Sequence, residues 1–441
     1  MANVWSWLLI AERTPPMIRL SNTTRSIMKS TFATIVSSLP ADYADLRFEE
    51  NRKVYIAYEG KELTQVATTL TSGGHVRAYA NGGKAVSSFS DPGRAGPIAQ
   101  AACSSAKLVG ASRERRLQVA PAPVITEDFL ITSESDPRKV SLKEKLDLAT
   151  HYNQIILRNP NVITTETIYD EFSSRRIFVN SDGSIIEYEI VYVCLYGLVV
   201  AKRGDIVQQV RYAFGGNTDF ASMLDREQDL KHQIAKACEL LDAEPAKAGI
   251  YPVVLDPSES GVFIHEAFGH LSEADGLQNN PSFRAKLQLG TPLGKPILNV
   301  TDDATMPGLS GSFEIDDEGV RAMRTPLITE GILLGRLHSR ETAAEFGEPL
   351  SGNMRAVDVQ FTPIVRMSNI LIEAGDSSFD DMIASIDNGY YLVGAKGGQT
   401  SGDQFTFGAQ WGYLIKNGKL GNMVRDINMS GELFSTLQAT S

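Results

Sequence analysis

The sequence has few cysteines, no excess of basic residues and no long hydrophobic run. Its three cysteines, Cys103, Cys194 and Cys238, are scattered and odd in number, which excludes a disulfide framework as the expected design and favours a reducing compartment. Lys and Arg number 42 against 53 Asp and Glu, so the net charge of −11 disfavours direct nucleic-acid binding. Without a run of ~20 apolar residues, we expect a cytoplasmic protein that makes no use of the membrane.

Length and composition predict a soluble protein of two or three domains, since 441 residues with 42% hydrophobic and 22% charged side chains can bury ample core. Residues 1–27 look unlike the rest, and we expect a disordered or miscalled start there. The stretch "EPAKAGIYPVVLDPSESG" is rich in proline and small turn residues, which is typical of a boundary between domains. We therefore predict an N-terminal α+β domain over 28–247 and a C-terminal β-rich domain over 248–441.

Local patterns predict both strands and helices. Hairpins are expected at Asn81-Gly82-Gly83 and Asn417-Gly418, since Asn followed by Gly favours a tight turn. Ser141 and Glu144 have the spacing of a capping box, and "REQDLKHQIAKACELLDA" is amphipathic at helical spacing. The fold class is therefore α+β in two domains, with mixed or antiparallel sheets, helices and a zinc-site helix at the start of the second domain.

The candidate chemistry lies in "VFIHEAFGHLSE", residues 262–273, where His265 and Glu266 are adjacent and His270 follows five positions after His265. The chain has six histidines, so a chance pair at this spacing with Glu in second place is expected about 0.005 times. Histidines five apart on a regular helix differ by about 140° and do not share a face. The motif therefore predicts a wider, π-type turn, which Gly269 would ease.

Two histidines and a glutamate in this order predict a zinc peptidase. Neutral imidazoles of His265 and His270 suit Zn²⁺, and Glu266 suits the general acid/base, which takes a proton from a metal-activated water nucleophile and passes it to the leaving amine. A catalytic zinc usually has three protein ligands, so a further one is needed. The alternative is an ordinary helix start, capped by "DPSESG", with incidental surface histidines.

Longer segments resemble one family. "HEAFGH" is similar to the H-E-x-x-x-H signature of the TldD/PmbA metalloproteases, also called modulators of DNA gyrase. Further segments are similar to that family in its order, namely "ADYADLRFEE", "GGHVRAYANGGKAVSSFS", "VTDDATMPGLSGSFEIDDEG", "TPLITEGILLGRL" and "GGQTSGDQFTFGAQWGYLIKNGKLG". The resemblance runs from about residue 40 to the end and is more specific than the six-residue motif. Because the motif is present, the chain resembles the metal-bearing TldD type.

The resemblance implies a cytoplasmic zinc peptidase that acts on peptides or unfolded segments. It also implies a dimer, with an identical chain or with a relative that lacks the motif. His265 and His270 correspond to the family's zinc ligands and Glu266 to its acid/base. The family's third ligand is a cysteine near the C-terminus, whereas this sequence has none after Cys238, and we expect a terminus truncated relative to the family. The three cysteines upstream stay open as alternatives.

That departure leaves a second hypothesis, a non-catalytic subunit that binds peptides or a partner and lacks the third zinc ligand. Direct DNA binding or gyrase regulation rests on the family's name and is disfavoured by the acidic charge. The carboxylate pairs Asp302-Asp303 and Asp316-Asp317 are expected on solvated turns, with support of the metal site as the alternative. His338 is expected to be exposed.

Overall fold

The computed structural model of the protein describes residues 21–278 and 280–440. The predicted irregular start, 1–27, lies outside the described residues up to residue 20, and helix α1 begins at Asn22. Ser21 caps this helix, because its hydroxyl accepts a hydrogen bond from the backbone N–H of Thr24. The last residues of that segment are therefore helical.

The first half of the chain forms one large, mainly antiparallel sheet. Its strands are β1 (Tyr43–Glu59), β2 (Glu62–Ala80), β3 (Gly83–Phe89), β4 (Asp128–Phe129), β5 (Val162–Asn180), β6 (Ile185–Arg203) and β7 (Ile206–Asn217). The order is β3-β2-β1-β5-β6-β4, with β7 also paired to β6 and β4 parallel to it. The predicted turn between β2 and β3 is confirmed, since Asn81 and Gly82 have φ of 54° and 77°.

Helices cover one face of this sheet. They are α1 (Asn22–Ser37), α2 (Ala95–Ala111), α3 (Leu142–Leu157) and α4 (Glu227–Glu239). Alternate residues of β1 face them, so that Leu46 and Phe48 join a core with α1 and α2, and Val54 and Ile56 join a core with α3 and α4. The capping box predicted for α3 is present, with Ser141 and Glu144 bonded to each other's backbone N–H.

The opposite face of the sheet carries charge and is buried by the second half of the chain. Arg47 of β1 and Arg176 of β5 each contact Asp317, at 2.8 and 2.7 Å. All three side chains are at most 4% exposed. The two halves are thus joined by buried ion pairs as well as by apolar contacts.

The second half contains a six-stranded sheet. Its strands are β8 (Glu244–Pro245), β9 (Val253–Leu255), β16 (Asn388–Ser401), β17 (Gln404–Lys416), β18 (Lys419–Arg425) and β19 (Ile427–Glu432). The order is β8-β18-β17-β16-β9, and β19 pairs with β17. The predicted hairpin at Asn417-Gly418 joins β17 to β18, and both turn residues have positive φ.

Shorter strands and helices make up the rest of the second half. The strands are β10 (Val300–Asp303), β11 (Arg324–Thr329), β12 (Ile332–Leu333), β13 (Met354–Arg355), β14 (Ile364–Val365) and β15 (Ile370–Ile372). The helices are α5 (Pro257–Ile264), α6 (His270–Ser272), α7 (Ala274–Gln278), α8 (Pro281–Lys286), α9 (Arg340–Phe346), α10 (Phe379–Ala384) and α11 (Leu433–Ala439). The motif, residues 265–270, runs from the end of α5 into the first residue of α6.

The predicted α+β class, with antiparallel and mixed sheets, is confirmed. The division at residue 248 stays a prediction, and β8, which precedes it, pairs with β18 of the second sheet. In the described part of the chain, no helix is both long and apolar enough to cross a membrane.

Candidate metal centre

The motif follows a well-capped helix start. Asp256 accepts a hydrogen bond from the backbone N–H of Glu259 at 2.8 Å, and Pro257 is the first residue of α5. Proline is favoured there because its missing N–H would have no partner within the helix. The chain then passes through one π-helical turn, His265–Gly269, and returns to α-helical geometry at His270. The capped start and the His–Glu–His group therefore occur together.

The π turn brings the two histidines to one side. The backbone N–H of His270 donates to the carbonyl oxygen of His265, five residues earlier, as the spacing predicts. The rings lie edge to face, with centroids 4.8 Å apart. Ligand atoms of His265, Glu266 and His270 all lie within 4.8 Å of one another. Within residues 21–278 and 280–440, no other three His, Cys, Asp or Glu side chains form such a group.

Burial favours the metal-binding form of His265. Loss of solvent lowers the pKa of this imidazole below its usual range, and the neighbouring His270 lowers it further. A neutral ring keeps a nitrogen lone pair free for a metal. The half-buried position therefore suits a ligand better than an exposed charged histidine.

Gly269 has a different role from the one expected. Its φ of −53° and ψ of −49° are ordinary for a helix, so the turn does not use the conformational freedom of glycine. A Cβ at this position would overlap the sulfur of Met367 and lie 3.2 Å from the Cδ1 of Ile370. Gly269 is needed because β15 and the segment before it pack closely on the π turn.

The Glu266 side chain lies against strand β16. The hydroxyl of Thr400 is 2.6 Å from the backbone oxygen of Glu266 and 2.8 Å from its Oε2. Gly398 leaves room for the side chain, since a Cβ there would lie 2.7 Å from the Cγ of Glu266. On the paired strand, Phe405 and Phe407 pack on Phe263 of α5, with ring centroids 5.7 and 5.9 Å away.

The carboxylate of Glu273 lies beside His270. Its Oε2 is 3.4 Å from the Nδ1 of His270, and its Oε1 is 3.6 Å from the guanidinium of Arg366. Histidines that bind metals often donate their second ring nitrogen to such a carboxylate, which fixes the orientation of the ring. Sequence reasoning missed Glu273, although its position three residues after His270 places it on the same face of a helix.

The two carboxylate pairs are not solvated, so that prediction was wrong. Asp302 and Asp316 are 1% and 2% exposed. Asp302 accepts hydrogen bonds from the amide of Asn353 and from the backbone N–H and hydroxyl of Ser368. These carboxylates hold the short strands and the interface between the halves, and they lie outside the His–Glu–His group.

His338 is also buried, against expectation. It is 2% exposed, and its ring nitrogens lie 3.0 Å from the hydroxyl of Thr342 and 2.9 Å from Glu348. The three cysteines lie on α2, β6 and α4, and none joins the group of candidate ligands in the described part of the chain.

A cavity of about 610 Å³ opens beside the candidate ligands. Glu266, His270 and Glu273 contribute polar groups to its wall, and α6 to α8 contribute the apolar side chains Leu271, Leu277 and Phe283. Thr400 and its neighbours on β16 form the other wall. The volume of the cavity lies within the range usual for ligand-binding pockets, roughly 300–1,000 Å³.

Family comparisons match this architecture in three parts. Domain 1 of the PmbA/TldA metallopeptidases matches residues 44–108, their central domain matches 135–243, and their C-terminal domain matches 248–441. The last match contains the His–Glu–His motif. The fold and the three family matches together define the class, a metallopeptidase.

Relatives with similar sequences support the same class. A metalloprotease of Synechocystis sp. is 34% identical over 405 residues, covering 90% of this chain and 86% of that protein. A metalloprotease of Methanocaldococcus jannaschii is 35% identical over 404 residues, covering 90% and 88%. The chain belongs to the PmbA/TldD metallopeptidase family, and the predicted class, a metalloprotease, is confirmed.

Solved structures show the same fold at low sequence identity. A Thermotoga maritima chain described as a candidate modulator of a DNA gyrase gives a TM-score of 0.77 at 20% identity, covering 94% of each chain. TldE from Thermococcus kodakarensis gives a TM-score of 0.74 at 17% identity, covering 95% of this chain and 93% of its own. These similarities show that the chain shares the fold of the two solved structures.

Proposed function

We propose that the protein is a zinc-dependent peptidase that hydrolyses peptides or unfolded segments of proteins. His265 and His270 would hold the metal, and Glu266 would act as general acid/base. The observation that supports this proposal most is the convergence of these three side chains at one π turn, with Glu266 and His270 in the wall of the adjacent cavity. A Saccharolobus solfataricus relative named as a zinc metalloprotease TldD homologue, 34% identical over 274 residues that cover 62% of this chain and 61% of that protein, favours zinc.

The donor set fits zinc, because two imidazoles, one of them kept neutral by burial, are favoured ligands of this ion. When bound, zinc lowers the pKa of water and polarises the carbonyl group of the scissile bond. The third ligand that catalytic zinc sites usually have is not supplied by Cys103, Cys194 or Cys238 in the described residues.

Glu266 supplies the proton transfers. Its carboxylate, at the cavity wall, takes a proton from the attacking water and gives it to the amine that leaves when the peptide bond breaks. Glu273 contacts Nδ1 of His270 and would orient the ring, which leaves Nε2 as the nitrogen available to a metal. Thr400 contacts Glu266 and Glu273 contacts His270, and these contacts favour the orientations that the proposal requires.

An extended peptide is the substrate form that the site favours. In the described residues, β9 pairs with β16 only at Tyr390–Leu392, so the same edge of β16 beyond Leu392 has no strand partner. This part of the strand runs past Glu266 to Thr400. A peptide that adds to this edge would present its backbone carbonyl groups to the candidate metal site, which requires an unfolded segment.

The test is cleavage of an unfolded reporter protein by zinc-loaded enzyme and by Glu266→Gln. We expect the substitution to lower kcat by about 10²- to 10⁴-fold while zinc content is unchanged. The exposed Glu62→Gln, on the β1–β2 hairpin, is the matched control. Cleavage by metal-free protein, or full activity of Glu266→Gln, would contradict the proposal.

A second candidate function is a non-catalytic subunit that binds peptides or a partner chain. The absence of a cysteine from the His–Glu–His group of the described residues favours it. Zinc binding distinguishes the two, since a non-catalytic subunit would hold substoichiometric zinc and cleave nothing at any zinc concentration. Both proposals include assembly as a dimer, either with a second copy of the chain or with a relative that lacks the motif, and light scattering would test this assembly. Both also include a cytoplasmic location.

A further inference from the structure

A single hydroxyl group, that of Thr400, contacts Glu266 twice. It donates to the backbone oxygen of Glu266 at 2.6 Å and lies 2.8 Å from Oε2 of the same residue, although the two residues are 134 positions apart. A hydroxyl has one hydrogen, so both acceptors share or alternate on that donor. The side chain and the main chain of one residue are thereby tied to the same point on β16.

The main-chain contact lies within the π turn. A π turn interrupts the regular helical hydrogen-bond ladder, and inserted side chains commonly support such distortions. The carbonyl group of Glu266 belongs to this turn and accepts the Thr400 hydroxyl. Thr400 therefore supports the widened backbone that brings His265 and His270 together.

Strand β16 is shaped to make this contact. Its pairing with β17 shifts register between Ala395 and Gly398, and Gly397 has a φ of 103° that favours glycine. Gly398 and Thr400 are alternate residues and so face the same side of the sheet. The first leaves space for the Cγ of Glu266, and the second binds the end of the side chain.

We propose that Thr400 is a positioning residue that fixes the carboxylate of Glu266 for proton transfer, an inference that rests on the proposed function. A glutamate side chain has several rotatable bonds, and an acid/base works only within hydrogen-bond reach of the reacting proton. Removal of the hydroxyl frees the carboxylate and loosens the π turn, whereas the close packing of Gly269 on Met367 and Ile370 still keeps the rings of His265 and His270 at the site. The loss therefore falls on kcat and spares substrate binding.

The test compares three variants of the full chain loaded with zinc. Thr400→Val keeps the shape and removes the hydroxyl, and we expect kcat to fall by about 10- to 100-fold with KM within about twofold. Thr400→Ser restores the hydroxyl and most of kcat. Thr406→Val, on the opposite face of the neighbouring strand, loses an equivalent hydroxyl bond to Met429 and keeps full activity.

A second readout needs neither metal nor substrate. Amide hydrogen exchange of residues 265–271 in the metal-free protein should be about fivefold faster in Thr400→Val than in the parent, and close to parental in Thr400→Ser. Unchanged exchange would overturn the inference. So would full kcat in Thr400→Val under conditions where Glu266→Gln has lost activity.

Failure of the proposed function has a different signature. It requires that Glu266→Gln cleaves as the parent does, or that the zinc-loaded parent cleaves nothing. Either result overturns the catalytic part of the inference together with the peptidase, and the exchange comparison then decides whether Thr400 holds Glu266 in place.

Discussion

The imidazole rings of His265 and His270 lie edge to face with their centroids 4.8 Å apart, although five positions separate them in the chain. A regular α-helix would place these two side chains about 140° apart around its axis. One π turn removes the discrepancy, because its hydrogen bond spans five residues and adds one residue to the turn. Two histidines at this spacing can therefore share one face only because the backbone between them forms a π turn.

Close packing of the π turn predicts opposite effects for two glycines nearby. Gly269→Ala should destabilise the protein by about 1–3 kcal/mol, since the added methyl group meets Met367 and Ile370. Gly261→Ala, on α5, meets nothing within 4 Å and should stabilise by up to about 1 kcal/mol. Denaturant unfolding of both variants measures the change in the free energy of unfolding. Equal changes in the two variants would show that Gly269 is not closely packed against Met367 and Ile370.

Loss of the Glu273 carboxylate should weaken zinc binding. Glu273→Ala leaves Nδ1 of His270 without its acidic neighbour, and we expect zinc affinity to fall by about 10- to 100-fold. Competition with a chromophoric chelator measures this affinity. Glu239→Ala, which removes an exposed carboxylate paired with Lys236, is the control, and the same loss there would contradict a specific role for Glu273.

The buried ion pairs between the halves predict that removal of the Asp317 charge destabilises the protein more at neutral pH than in acid. Burial alone would raise the pKa of Asp317, but Arg176 and Arg47 outweigh it and hold this pKa well below its usual range. A depressed carboxylate stabilises the fold above its unfolded pKa of about 4, and this contribution is lost as the pH falls toward the folded value. Asp317→Asn should therefore cost about 3–5 kcal/mol at pH 7, and less in acid.

Unfolding by urea at several pH values measures the Asp317 contribution. Asp147→Asn removes one partner of an exposed ion pair with Lys143 and should change stability by less than about 0.5 kcal/mol. A similar small effect for Asp317→Asn at pH 7 would show that the interface does not depend on this charge.

Glu259 predicts the opposite dependence on pH. Burial raises its pKa to about 7, the Asp256 carboxylate adds to the rise, and Lys396 opposes it. In the described residues, neither oxygen of its side chain has a hydrogen-bond partner. Because the folded pKa exceeds the unfolded value, the folded state retains a proton that the unfolded state loses, and stability falls as the pH rises from about 4 to 7.

Glu259→Gln removes this titration. The variant should exceed the parent in stability by about 2–3 kcal/mol at pH 8 and match it near pH 4, which unfolding curves at the two pH values would show. A constant difference across that range would mean that Glu259 titrates with the same pKa in the folded and the unfolded protein.

The sequence predicts those features of the fold and the site that depend only on residues close together in the chain. Five-residue spacing between His265 and His270 requires a wide turn, and Asn-Gly pairs predict the hairpins, because each property depends on neighbouring residues alone. Thr400 could not be predicted in the same way, since its contact with Glu266 depends on how β16 folds back over the motif.

The residues that were predicted to be exposed but are buried show why sequence patterns alone do not determine burial. Adjacent carboxylates are more often solvated than buried, but Asp317 is buried because arginines from β1 and β5 face it across the sheet. His338 is buried because Thr342 and Glu348, four and ten residues further along the chain, lie beside its two ring nitrogens. In both cases the fold decides which partners meet the side chain, and the adjacent residues in the sequence do not specify them.

The most direct test of the central claim is the zinc content and affinity of the full chain, measured by mass spectrometry and chelator competition for the parent, His265→Ala and His270→Ala. We predict close to one zinc per chain in the parent and a loss of at least about 100-fold in affinity for each variant, since each removes one of two converging imidazoles. His151→Ala, at an exposed histidine outside the site, should bind zinc as the parent does. Retention of tight zinc binding by both motif variants would contradict the account.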